Sequence, residues 1–312
     1  MRFTKTLASA LALAAVSAVP VAAKDLNSVG ISVGLLGNPF FVATIKGIED
    51  SAKKINPNVK VTSVSADYDL NKQVSQIDSF VAAGVDIIML NAVDASAIGP
   101  AVKRATDAGV VVAAFDVSAP GATVTVMTNN VQAGEKACAY LAEKLDNKGD
   151  IVIVNGPSSS SILDRVKGCK DELAKHPDMK ILSDDQNAQG SRDGGLNVGQ
   201  NILTRFDKID GVFAINDPTA IGFALAAKQA NRSEFIITSV DGAPDIENEL
   251  KSGKGLIKAS ASQDPYTMAG QALDMGYEAL QGKTPEPSTV LLEPQLITHE
   301  NIGDYKGWTA AR

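Results

Sequence analysis

The chain has 312 residues, 45% apolar and 21% charged, with a formal net charge of −7. That composition serves a large core, and a net acidic surface argues against nucleic acid or an anionic membrane surface as partner. Two cysteines are too few and too far apart for a zinc site or a CxxC redox motif, and no HExxH, GxSxG or P-loop pattern occurs, so no metal or cofactor is expected.

Residues 1–23 have the parts of a secretory leader: Arg2 and Lys5, an uncharged run from Leu7 to Val19, then Pro20-Val21-Ala22-Ala23. The run is shorter than the roughly 20 apolar residues of a spanning helix. Cleavage after Ala23 leaves Lys24 first, with no cysteine there to carry a lipid, so a soluble protein free in the periplasm is expected. Loss of the leader's two bases takes the net charge to −9. The remaining chain, about 290 residues, is more than one core usually serves, which argues for two domains.

Along that chain, short aliphatic or β-branched runs alternate with longer amphipathic ones, the pattern of β-α units around a parallel sheet. Strands are expected at Val29 to Leu35, Val59 to Ser65, Val85 to Leu90 and Val110 to Phe115. The series resumes at Ile151 to Asn155, Lys180 to Ser183, Gly211 to Ile215, Phe235 to Val240 and Leu256 to Ser260. Helical patterns lie between them, among them Phe41 to Lys54, Asp69 to Ala83, Ala133 to Leu145 and Ala220 to Ala230. Nine strands fit two sheets better than one. From Gly282 onward Pro285, Pro287 and Pro294 interrupt the pattern, which suits connecting segments and edge strands.

Cys138 and Cys169 each fall on an expected helix, with one strand between the two helices. Successive crossover helices often lie side by side, so a disulfide in an oxidising compartment is one reading and two inert buried thiols the other.

Ligands bind open parallel sheets at the carboxyl ends of strands. The residues there are Asn38, Phe40 and Phe41 after the first strand, Asn91 and Asp94 after the third, and Asp116 after the fourth. The second half offers Ser158 to Arg165, Asn216 with Asp217, Asp241 and Gln263. Amides, carboxylates and an arginine suit a polyhydroxyl ligand, whose hydroxyls both donate and accept, while rings cover its C–H faces. Each also has a plainer reading: Asn38-Pro39 or Asp241-Gly242 as a turn, Asn216-Asp217-Pro218 as a helix cap, Phe40 or Phe41 as core. Recurrence of the same location in both halves favours the ligand reading.

Gly37-Asn38-Pro39-Phe40-Phe41, Leu90-Asn91-Ala92-Val93-Asp94, Ala214-Ile215-Asn216-Asp217, Val240-Asp241-Gly242-Ala243-Pro244-Asp245 and Gln263-Asp264-Pro265 resemble the motifs of periplasmic sugar-binding proteins of the ribose-binding type. The resemblance implies an α/β fold of two similar doubly wound parallel-sheet lobes joined by a three-strand hinge. It implies an N-terminal lobe of residues 24–128 plus 264–291 and a C-terminal lobe of 129–263 plus 292–312. It further implies a non-catalytic monomer that captures a monosaccharide or polyol and delivers it to the membrane permease of an ABC importer, with a chemoreceptor as a further partner. Carried over by position, the ligand residues are Asn38, Phe40, Phe41, Asn91 and Asp116 on one lobe, and Arg165, Arg192, Asn216, Asp241 and Gln263 on the other. Two positions depart from the family pattern: Asp116 is followed by Val117 where ribose binders have arginine, and Gly190 stands where an aromatic ring is often found. A sugar-modifying enzyme is the rival reading, yet His176 and His299 are the only imidazoles on offer. A repressor's effector domain would begin with a DNA-binding helix pair, not an export leader.

Overall fold

The aliphatic runs pair into two separate sheets in the computed structural model, which describes residues 24–310. The leader expected over residues 1–23 lies outside the described residues. The first half runs β1 (Ser28–Val33), α1 (Pro39–Ile55), β2 (Lys60–Ser65), α2 (Leu70–Ala82), β3 (Ile87–Leu90), α3 (Gly99–Asp107), β4 (Val111–Phe115) and β5 (Val124–Thr128). The second runs α4 (Asn130–Lys144), β6 (Lys148–Val154), α5 (Ser160–Leu173), β7 (Asp178–Ser183), α6 (Arg192–Arg205), β8 (Gly211–Ala214), α7 (Asp217–Gln229), β9 (Ile236–Asp241), α8 (Pro244–Ser252) and β10 (Ile257–Ser262). A tail follows: α9 (Pro265–Leu280), β11 (Thr289–Leu292) and β12 (Gln295–Thr298).

One sheet has the order β2-β1-β3-β4-β5-β11 and the other β7-β6-β8-β9-β10-β12, so both lobes share one winding. Among the described residues, twelve strands replace the nine expected. Two of the additional ones, β11 and β12, form the sheet edges that the proline-rich tail suggested; β11 lies parallel to β5, and β12 antiparallel to β10. The third, β5, was not expected at all. It follows β4 with no helix between, which breaks the β-α alternation on which the reading relied.

Alternate side chains of each strand enter different cores, because successive residues point to opposite faces. In β3, Ile87 and Met89 pack with α1 and α9, while Ile88 and Leu90 pack with α2 and α3. In β6, Ile151 and Ile153 meet α4 and α5, while Val152 and Val154 meet α6 and α7. Helix α4 lies against α5 closely enough for Cys138 and Cys169 to form a disulfide, with Cα atoms 5.1 Å apart. Gly134 and Gly168 permit that approach: a Cβ on either would strike the carbonyl of Arg165 or Val131 on the facing helix.

The chain passes between the lobes three times. It leaves the first sheet after Thr128 to begin α4, returns after Ser262 to begin α9, and goes back between Leu292 and Gln295. Asn129 and Asp264, at the first two passages, cap the helices that follow by accepting the backbone N–H of Gln132 and Thr267, respectively. Among the described residues no helix is long and apolar enough to cross a membrane.

Candidate functional site

The strand ends of both sheets face a cleft of about 840 Å³ that is lined by all ten residues that the family resemblance implied as ligand contacts. Helix starts set several of them in place. Asn38 caps α1 by accepting the N–H of Phe40 at 2.9 Å, and Asn216 caps α7 by accepting that of Thr219 at 3.0 Å. Capping and cleft lining therefore coexist in the same side chains. The plainer reading of these residues holds and does not displace the other.

Arg165 anchors the second lobe's side of the floor. It is 4% exposed, and its guanidinium donates to Asn130 Oδ1 at 2.9 Å, to the Ile215 carbonyl at 2.9 Å and to Asp241 Oδ1 at 3.1 Å. Asp241 Oδ1 also accepts Gln263 Nε2 at 2.8 Å, and Gln263 Oε1 accepts the Thr128 hydroxyl at 2.9 Å. Thr128 and Gln263 sit at two of the interlobe passages, so the hydrogen-bond chain from Arg165 runs directly into the hinge. Burial pushes the Asp241 carboxyl up, and the facing Arg165 charge opposes that. A fixed guanidinium with its remaining surface toward the cleft can donate to a ligand oxygen at no further ordering cost.

Asp116 stands at the carboxyl end of β4 with φ of +64°, a left-handed conformation that strains a non-glycine backbone. Its amide is held by the Val126 carbonyl at 2.9 Å, and the next amide, Val117, turns back to the Phe115 carbonyl at 2.7 Å. One carboxylate oxygen accepts Asn91 Nδ2 at 2.9 Å. Deep placement pushes its pKa up to about 6, with the Arg165 charge and the Asn91 bond opposing and Asp241 adding to the rise. The carboxylate remains largely ionised at neutral pH, and beyond the Asn91 bond it faces the cleft, where it can accept from a pair of hydroxyls. Val117, which follows Asp116, is 7% exposed and offers the cleft only carbon.

Not every expected residue lies equally deep. Arg192 is exposed at the rim and paired with Asp245 at 2.6 Å. Asp94 turns away and caps the Ser96 and Ala97 amides. Asp217 lies beneath the cleft wall, fully buried, and accepts Ser239 Oγ at 2.5 Å, Ser260 Oγ at 2.7 Å and the Ala243 amide at 2.7 Å. Burial, and then the Asp241 charge, raise its pKa. It holds β9, β10 and the loop after Asp241 in register and touches no cleft space.

The cleft also uses residues that the reading of strand ends passed over. Tyr68, in the turn after β2, lines the opening on the same side as Asn38. Gly190 adopts φ of +61°, and its carbonyl accepts Asn216 Nδ2 at 3.0 Å. Trp308, from the tail, is 7% exposed and meets Phe40 edge to face at 5.5 Å between centroids. His176 and His299 lie elsewhere, beside Glu172 and the Leu250 carbonyl, respectively.

Comparison with known proteins places this geometry in context. Residues 29–284 match the family described as periplasmic binding protein domain. The chain is 35% identical over 260 residues to the ribose import binding protein RbsB of Bacillus subtilis, covering 82% of each. It is 32% identical to a xylitol-binding protein of Mycolicibacterium smegmatis, covering 89% of this chain and 79% of that one. A Caulobacter myo-inositol binding protein, solved with myo-inositol bound, superposes with a TM-score of 0.81 at 28% identity, covering 92% of this chain and 97% of the other.

Proposed function

The chain belongs to the periplasmic binding protein family, and on that premise we propose that it captures a monosaccharide or polyol between its two lobes and hands it to the membrane permease of an ABC importer. One observation carries the reading: the cleft gathers two carboxylates, Asp116 and Asp241, a fixed guanidinium, Arg165, and the rings of Phe40 and Phe41 from opposite lobes. Such a set binds hydroxyl pairs and C–H faces together. The relatives take ribose, xylitol and myo-inositol by name, so the class is polyhydroxyl and the individual ligand follows from the details of this cleft.

Asn38, Phe40, Phe41, Asn91 and Asp116 contact the ligand from one lobe, and Arg165, Asn216, Asp241 and Gln263 from the other, with Arg192 closing over the rim. Contacts split in this way form together only when the cleft shuts, so ligand favours the closed state. The lobes are 24–128 plus 264–291 and 129–263 plus 292–312, a division supported by sheet membership apart from Leu292, the last residue of β11 in the first sheet. The protein binds without turnover, acts as a monomer in the periplasm after cleavage behind Ala23, and can also present its loaded form to a chemoreceptor. Calorimetric titration with sugars and polyols, followed by chromatography of the recovered ligand, tests this. Saturable binding with unchanged ligand agrees with it; chemically altered ligand means an enzyme.

A further inference from the structure

Trp308 is the chain's one tryptophan and lies in the tail after β12. Its Nε1–H donates to the Gln263 carbonyl at 3.2 Å, which leaves the indole no polar atom for anything else. Gln263 is the residue at the second interlobe passage that also bonds Thr128 and Asp241. The indole meets Phe40 at 5.5 Å, and Phe40 meets Phe41 at 5.5 Å, so three rings stand in series at the cleft wall. Three residues earlier, the Tyr305 hydroxyl donates to the Gly242 carbonyl at 2.9 Å, fastening the same tail beside Asp241. The tail is thus tied to the backbone of Gln263 and of Gly242, next to Asp241, while presenting carbon to the cleft interior.

We propose that the segment from Tyr305 to Trp308 is a working part of the binding site, and that Trp308 selects among ligands by walling the passage end of the cleft with carbon. The ligand group that meets this wall is a C–H face, a methylene or a methyl, because a hydroxyl buried there finds no partner. This inference rests on the sugar-binding reading and adds a determinant to it.

The test uses D-ribose, D-allose, L-arabinose, xylitol and myo-inositol. Emission from a single tryptophan reports on this residue alone, so titrating the wild type should shift it, saturating at the concentrations found by calorimetry. Trp308→Gln, which puts polar atoms into the wall, should narrow the affinity ratio between the tightest and weakest binders at least tenfold. Trp308→Phe, which keeps a carbon wall, should hold that ratio within about threefold. Equal weakening of every ligand by Trp308→Gln, or emission unmoved by a ligand that calorimetry shows to bind, overturns the inference and leaves the sugar-binding reading intact. Absence of binding to the wild type by these five and by every other neutral pentose, hexose, acyclic polyol and inositol removes both.

Discussion

Replacing Arg165 with methionine keeps much of the side chain's volume and removes its charge from a site where it is 5% exposed by side chain and Asp241 is 12% exposed. Three acceptors then lose a donor: the Asn130 amide oxygen, the Ile215 carbonyl and Asp241 Oδ1. Asp241 keeps Gln263 but loses its neighbouring positive charge while buried. Breaking a buried pair in this way costs about 3 to 5 kcal/mol, more than a single neutral hydrogen bond, because the remaining charge stays desolvated. Guanidinium unfolding followed by circular dichroism should therefore show a loss of about that size. Adding Asp241→Asn removes the orphaned charge and should recover a good part of the loss, a non-additivity that a double-mutant cycle reads directly. A loss under about 1 kcal/mol for Arg165→Met, the level of a single neutral hydrogen bond, or a double variant less stable than the single one, refutes the account of this floor.

Three other expectations follow from named groups. Asp116→Ala should weaken binding by about 2 to 4 kcal/mol, roughly thirtyfold to thousandfold, with thermal stability at neutral pH kept or raised; calorimetry and melting on the same variant separate this from a turn-forming role, which would lower stability and leave affinity nearly unchanged. Because Asp116's pKa of about 6 in the fold lies above the ordinary 3.8, the folded protein holds a proton that the unfolded chain has released between those values. Its contribution to ligand-free stability therefore declines as pH rises from about 4 to 6, and Asp116→Asn should lack that decline in denaturation measured across the range. Replacing both Cys138 and Cys169 with serine should cost about 3 to 4 kcal/mol by the chain-entropy relation for a 31-residue separation, while ligand affinity, read by calorimetry, stays where it was.

The parallel α/β plan was legible because buried strands such as Ile87–Leu90 read as continuous aliphatic runs, and the helices between them carry one apolar stripe each. The strand-end rule then pointed to the cleft-lining residues of both halves other than Arg192, which only the family resemblance supplied, without any knowledge of which sheet each strand joined. It passes over Tyr68, which stands three residues beyond β2 in a turn, although the same rule applies there. Trp308 was hidden for another reason: it belongs to no β-α unit, and only its being a lone tryptophan in a tail interrupted by proline hinted at a role. β5 was missed where the β-α alternation fails. Asp217 shows the opposite limit, since its neighbour Asn216 lines the cleft while its own carboxylate turns under to Ser239 and Ser260, a difference of side-chain direction that residue type does not encode.

Titration calorimetry of the protein lacking residues 1–23 against pentoses, hexoses, acyclic polyols and inositols tests the central claim most directly. The account predicts that at least one of them binds one molecule per chain with a saturable heat that Asp116→Ala largely abolishes. Binding that survives Asp116→Ala and Arg165→Met unchanged, or no heat from any neutral polyhydroxyl compound, would contradict it.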